Sequence, residues 1–324
     1  MQTALHKLLA AVIALLAGAA GAFAQSYPSA KPIMIVCAQP PGSGPDTMAR
    51  LYAEVMGRSM NQKILVSNQP GAGGVLAAST VAQAAPDGYT LLLVLNGTHT
   101  TIPHMQSLKF DPIKDFEFVS MLYSSSSILL VATKGPVKSF AELIDLAKTK
   151  PGGATYGSPA IGSPSHLMGA LLAESTKIPM THVAYRGGVP MLTDLVGGSI
   201  DFAFLSSLQA LGQIEQGLVR AIAAADTRRF PQLPDVPTLA ELGYGDVIVE
   251  SWFGIAVPKG TPPDIIARLN AELQAASKDP AIIKRAEQDM ATIRTGPRQE
   301  IDKLLAEDYA RMGSAVKRLG VKSE

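Results

Sequence analysis

Cysteine is nearly missing from this chain, with Cys37 the only one in 324 residues. A single thiol excludes an internal disulfide and any thiolate cluster for zinc or iron–sulfur. At the end of the apolar run Ile33-Met34-Ile35-Val36, with no base in the neighbouring sequence, it reads as a small buried hydrophobe rather than a nucleophile. An excess of one charge is missing too: 28 Lys and Arg stand against 27 Asp and Glu. Such a balance lacks the basic surface that nucleic-acid binding requires, so affinity for any anion must come from local dipoles. The usual catalytic signatures are also absent. There is no GxSxG elbow, no HExxH, no glycine loop ending in GK[ST] and no GxGxxG. A triad of His99, His166 or His182 with nearby serines can be drawn on paper, as it can for most chains of this length. His99 and His104 are too few for a metal site, so no enzyme, cofactor or metal is expected.

Long apolar runs are confined to the first 24 residues. His6 and Lys7 precede an apolar stretch over residues 8–20, and Ala22-Phe23-Ala24 fits a small-x-small cleavage pattern. The expectation is a signal peptide over residues 1–24, a mature chain starting near Gln25 and export to the periplasm. The stretch is too short to span a bilayer convincingly, and nothing later approaches the length required.

What is present is a large apolar fraction, 47% of residues, enough for a sizeable core in two lobes. Strand-like runs at 33–37, 63–67 and 90–95 alternate with helical stretches at 46–59 and 74–84. A second alternation runs from residue 128 to residue 216. Two βα arrays predict an α/β fold with a mainly parallel sheet flanked by helices in each lobe. Residues 116–123 read as a strand crossing between lobes, and residues 250–257 as the return. That gives one lobe from 25–125 plus 251–324 and another from 126–250, joined by a hinge of the kind that closes around ligands. Helices at 263–277, 280–287 and 298–319 have no sheet of their own and are expected to pack on the first lobe. No repeat or coiled-coil register appears, and a monomer is expected.

Two turns follow strands and open helices: Pro40-Pro41-Gly42-Ser43-Gly44-Pro45-Asp46 and the stretch Gly157-Ser158 through Ile161-Gly162-Ser163-Pro164-Ser165-His166. Unpaired amides at a helix N-terminus, with glycine allowing close approach, suit an acid; an ordinary capped helix start has the same appearance. Ser158, Ser163 and Ser165 offer hydroxyls, or simply cap and turn. Asn96, Thr98 and His99 follow the third strand, at a strand carboxyl end where α/β sheets place ligands. Arg186, in Tyr185-Arg186-Gly187-Gly188, either forks onto a carboxylate or lies solvated.

These turns, together with Asn68-Gln69-Pro70-Gly71-Ala72-Gly73-Gly74, Ala85-Pro86-Asp87-Gly88-Tyr89, Phe110-Asp111-Pro112 and Leu233-Pro234-Asp235-Val236-Pro237-Thr238, resemble the Bug family of periplasmic receptors over essentially the whole mature chain. The resemblance implies a two-lobed Venus flytrap that binds a small carboxylate and passes it to the permease subunits of a tripartite tricarboxylate transporter. It implies that one carboxylate is held, partly through waters, between residues 39–46 and 158–165. Gln39, Gly42, Ser43, Gly44, Asp46 and Ile161 join the candidates on that ground. Two departures stand out. Ala38-Gln39 replaces the family's aromatic wall, and Leu205 stands where members often carry an acid, which implies a di- or tricarboxylate or aromatic carboxylate rather than an amino acid. A receptor feeding a sensor kinase and a secreted hydrolase are the alternative readings.

Overall fold

Apolar strands and amphipathic helices sort the chain into two sheets. The computed structural model describes residues 27–321, so the leader expected at residues 1–24 lies outside the described residues. The first sheet has the order β11-β4-β10-β3-β1-β2, built from β1 (Ile33–Cys37), β2 (Ile64–Asn68), β3 (Thr90–Leu95), β4 (Phe116–Ser125), β10 (Ser251–Pro258) and β11 (Ala291–Ile293). The second has the order β7-β6-β8-β5-β9, from β5 (Ser127–Ala132), β6 (Ala154–Ser158), β7 (Met180–Ala184), β8 (Phe202–Ser206) and β9 (Val219–Ala225). This is the two-lobed periplasmic-binding-protein architecture.

The helices are α1 (Gly44–Met60), α2 (Val75–Ala82), the short α3 (Asn96–Thr100), α4 (Phe140–Thr149), α5 (Pro164–Thr176), α6 (Gly188–Gly197), α7 (Ser207–Glu215), α8 (Pro263–Ala276), α9 (Pro280–Gln288) and α10 (Arg298–Leu319). Each sheet is parallel over the three strands at one side, β3-β1-β2 in one and β7-β6-β8 in the other. The remaining pairings, β3-β10, β10-β4, β4-β11, β8-β5 and β5-β9, are antiparallel. The sheets are therefore mixed rather than mainly parallel. Parallel neighbours need a crossover that returns to the same sheet, whereas β4 and β9 each lead out of one sheet into the other. Only Ser126 separates β4 from β5, and residues 226–250 make the return.

β9 escapes a sequence reading because its alanines favour helix. Its pairing with β5 and the burial of Ala223, Ala224 and Ala225 decide the outcome: small side chains fit a packed layer that tertiary contacts impose. The lone thiol behaves as expected. Cys37 is fully buried and burial pushes its pKa up to about 11.

The C-terminal helix departs from expectation. Ile301 and Leu305 join a core cluster of the first lobe, while Met312 and Val316 join the core of the second. At about 1.5 Å per residue, its 22 residues span about 33 Å, enough to lie across both lobes. Arg318 at its far end pairs with Glu174 of α5 at 2.7 Å. In its middle, Asp308 is buried and accepts 2.6 Å from Trp252 Nε1, at the start of the returning strand β10. The second carboxylate oxygen of Asp308 accepts from Arg311 at 2.9 Å, and Arg311 also reaches the Ile248 carbonyl. The helix thus grips the return crossing.

Removing that grip strands a buried indole N–H without an acceptor, since Trp252 is completely enclosed. An Asp308→Ala variant should lose about 2 kcal/mol of stability, measured as a lowered urea midpoint at unchanged m-value. A midpoint equal to wild type would contradict the anchoring role.

Candidate functional site

The two turns singled out in the sequence are near copies of each other in geometry. In the first, the Pro40 carbonyl accepts from Ser43 N at 3.2 Å, Gly42 N donates to Asp46 Oδ2 at 2.8 Å, and Ser43 Oγ accepts from Asp46 N at 3.4 Å. In the second, the Ala160 carbonyl accepts from Ser163 N at 3.2 Å, Gly162 N donates to His166 Nδ1 at 3.1 Å, and Ser163 Oγ accepts from His166 N at 3.3 Å. The capping serines have matching backbone angles, φ −67°, ψ 160° for Ser43 and φ −68°, ψ 157° for Ser163. Gly42 at φ +80° and Gly162 at φ +73° occupy the left-handed region, where a side chain is strained. A Cβ on Gly162 would in addition lie 2.9 Å from Met105 Sδ of the first lobe, so the lobes approach closely there.

Between the lobes lies a cavity of about 680 Å³. The first lobe contributes Ala38, Gln39, Pro40, residues 70–74, Ile102, Met105 and Gln106; the second contributes Pro159, Ala160, Ile161 and residues 184–187. Gln39, Ile161 and Arg186, all proposed from sequence, therefore meet across one cleft. Among the described lining residues there is no Asp or Glu. Arg186 is the single charged lining group, and it is exposed, with no hydrogen bond or ion pair to any described residue. The glycine-rich segment 70–74, part of the family motif, lines the cavity as well.

Other sequence candidates have different tasks. Asp46 is buried beneath its loop. Burial pushes its pKa up, but hydrogen bonds from Arg50, Asn68 and Gly42 outweigh that and hold its carboxyl below the usual range. It braces the turn and has no free oxygen to offer. Gly42, Ser43 and Gly44 form the turn and open α1, and Gly42 is exposed. Ser163 caps α5, and Ser165 is buried in its first turn. Ser158 is fully buried, its hydroxyl 2.9 Å from the Ala160 carbonyl and 2.7 Å from His182 Nε2. Thr98 donates to the Gly73 carbonyl at 2.6 Å and so fixes the wall loop, while Asn96 donates to the Glu250 carbonyl at 3.0 Å in the return crossing.

His99 and Leu205 do not reach the cleft. The residues that follow β3 form the helix α3, which turns His99 inward against Phe116 and Phe118 at ring distances of 5.1 and 5.4 Å. Its Nδ1 lies 2.7 Å from the Pro112 carbonyl. Leu205 is buried in a second-lobe cluster with Ile128, Leu130 and Met191, so it screens no ligand. A further cavity of about 720 Å³ sits on the first lobe, but its Glu117 is already paired with Lys259 and Arg298, leaving no free charge for a ligand. Among the lining residues that sequence reasoning missed, Ile102, Met105 and Gln106 lie in a segment with no motif.

With this geometry in place, comparison with known proteins decides the family. Residues 48–321 match the family model described as tripartite tricarboxylate transporter family receptor. The chain belongs to that family. It is 32% identical over 323 residues to Protein BugT of Bordetella pertussis, covering 99% of each chain. Two solved structures carry ligands. One, R. palustris Rpa4515 with adipate, has a TM-score of 0.85 at 30% identity, covering 91% of this chain and 99% of the other. The other, MatC from Rhodopseudomonas palustris with bound malate, has a TM-score of 0.81 at 31% identity, covering 89% and 99%. The protein is thus a solute receptor of the periplasmic type and not an enzyme. Among the described residues no helix is long and apolar enough to cross a membrane. In this receptor the Ser158–His182 contact is not on the cavity wall: Ser158 is fully buried and its hydroxyl is already engaged by the Ala160 carbonyl.

The enclosed His99 has a consequence for stability. Burial, partly offset by its bond to Pro112, lowers its pKa to about 4, against about 6.5 for an unfolded histidine. Between those values the unfolded chain takes up a proton that the folded one refuses, so stability is full above pH about 6.5 and falls as the pH drops toward 4. A His99→Leu variant should show a flatter dependence of melting temperature on pH across that window than wild type. Equal slopes would contradict a buried neutral imidazole.

Proposed function

We propose that this receptor binds a small dicarboxylate in the interlobe cavity and delivers it to a tripartite tricarboxylate transporter permease. The observation that carries the reading is Arg186, an unpaired guanidinium on a cavity wall otherwise free of charge. One ligand carboxylate would lie between the cavity-facing ends of the paired turns, Gln39 and Pro40 on one side and Pro159 to Ile161 on the other, with waters filling part of a cavity larger than such a ligand. Arg186 would take the other carboxylate by two parallel hydrogen bonds. The absence of an acid on the described wall disfavours an ammonium group, which replaces Leu205 as the argument against amino acids. Adipate and malate in the two related structures support the same ligand class.

Closure follows from the split site. Each lobe offers half of the contacts, so the ligand favours the state in which both are made, and that closed shape is what a permease would recognise. We take residues 25–125 plus 251–324 as one moving body and 126–250 as the other, with α10 bridging them. An N-terminal leader over residues 1–24 would direct the chain to the periplasm.

In a thermal-shift panel, dicarboxylates of four to six carbons should raise the melting temperature more than glutamate or aspartate at equal concentration. Calorimetric titration of an Arg186→Ala variant should show dicarboxylate affinity reduced at least about ten-fold and monocarboxylate affinity much less changed. Stabilisation by amino acids alone, or an unchanged affinity in the variant, would overturn the assignment.

A further inference from the structure

The two jaw turns are alike in backbone but differ in the side chain that holds them. Asp46 accepts the Gly42 N–H in the first lobe, and His166 accepts the Gly162 N–H in the second. An amide N–H can only donate, so His166 Nδ1 must be unprotonated and its proton must sit on Nε2. His166 does not stand alone. Its ring stacks on that of His182, with centroids 3.7 Å apart and planes at 6°. His182 Nε2 lies 2.7 Å from Ser158 Oγ, which is also 2.9 Å from the Ala160 carbonyl. A carbonyl can only accept, so the serine proton goes to Ala160 and His182 donates from Nε2 to the serine oxygen. The stacked imidazoles therefore pin both ends of the segment 160–162, the part of the second lobe whose Ala160 and Ile161 face the cavity.

We propose that His166 and His182 are positioning residues for the second-lobe jaw, and that protonation of this stacked pair frees the jaw and weakens ligand binding in acid. The proposal rests on the carboxylate reading of the cleft and adds its regulation. A proton on His166 Nδ1 turns the acceptor into a donor facing another donor. Two imidazolium rings at stacking distance would also repel, so the pair takes up its protons in coupled steps.

The surroundings give the charged form no help. From β6 the pair faces Tyr156, whose ring is 6.5 Å from His166 and 5.0 Å from His182, and whose hydroxyl donates to the His166 carbonyl at 3.3 Å. From β8, Phe202 stacks on Tyr156 at 5.5 Å. On α5 itself, Gly169 packs directly under the Tyr156 ring. No described residue forms an ion pair with either imidazole. Burial accordingly lowers both groups to about 4, and the neighbouring His166 makes His182 harder still to charge. The first lobe has no equivalent response, because Asp46 stays ionised down to low pH.

The test has a ligand-free arm and a binding arm. Nitrogen-detected NMR of the histidine rings in the free receptor at pH 7 should show both as neutral Nε2–H tautomers, with the Gly162 amide shifting at the same acid midpoint as His166. A His166 that titrates near 6.5, or a Gly162 amide indifferent to it, overturns the proposal. In the binding arm, malate and adipate are titrated from pH 7.5 to pH about 3, a full unit below the value of about 4 at which the pair takes up a proton, against wild type, His166→Asn and His166→Phe. Comparing proteins at each pH cancels the titration of the ligand itself. The Asn amide oxygen still accepts from Gly162, so H166N should keep affinity within about three-fold at pH 7.5 and then exceed wild type in acid by about five- to ten-fold. H166F, lacking an acceptor, should bind about five- to ten-fold more weakly throughout, with no extra loss in acid. Parallel pH profiles for wild type and H166N overturn the proposal. Failure of both acids to bind wild type at pH 7.5 would count against the dicarboxylate reading, and the NMR arm would still decide the role of the pair.

Discussion

A backbone N–H held by a side chain four residues further on is the constraint from which the cleft follows. Gly42 and Gly162 must adopt left-handed angles for that bond to form, and the bond turns the chain from strand end to helix start in so few residues that the amides converge on one place. Everything facing the cavity is set from there. The first turn is tied by Asn68 to the end of β2, and Thr98 ties the glycine wall 70–74 to α3. The second is tied through Ser158 and the stacked imidazoles to β6 and β7. The pocket is thus assembled from strand ends whose spacing is fixed by ladders of parallel pairing, which are far stiffer than the loops they carry.

Motion between the lobes is limited by what crosses between them. The outward path is a single residue, Ser126, whose hydroxyl is 2.5 Å from Asp226 at the start of the return path. Both passages are therefore fastened to each other at one point. The helix α10 adds a third connection, since its apolar face belongs to both cores. If the lobes move as proposed, rotation about an axis near Ser126 would cost less than separation, because separation would expose the Met312 and Val316 contacts to water. Rotation suits a receptor whose half-sites must meet face to face.

The sequence made the alternation of strands and helices legible, along with the crossing at 116–123, the return near 250 and the two capped turns. These features depend on local rules: apolar periodicity, serine caps, proline in the first turn and glycine where φ must be positive. What was not legible depended on distance in space. The alanines of β9 are a strand only because β5 lies beside them. His99 reads as a polar residue at a strand end, yet α3 rotates it into an aromatic cluster. Leu205 carries a family-level meaning in the sequence, whereas β8 is buried on both faces and Leu205 packs into the cluster with Ile128 and Met191. Asp46 and His166 sit four residues beyond a glycine in both turns, and that shared spacing was the available signal for their bracing roles.

Electrostatics of the cleft then reduce to very few contributors. Asp46 carries a negative charge close to the first jaw, but Arg50 and Asn68 absorb it, so it does not repel an incoming acid. His166 is neutral at ordinary pH and adds no attraction. Helix N-termini on the two sides contribute partial positive charge within a turn or so of their ends, which favours an anion without discriminating among anions. The full charge on the described wall is Arg186 alone. Two partial charges at the jaws and one full charge beside them define a distance, and under the dicarboxylate proposal that distance would select among diacids of different length. In the proposed reading, affinity for any carboxylate would be shared by the backbone of both lobes, while the choice of carboxylate would rest on where one unpaired guanidinium is held.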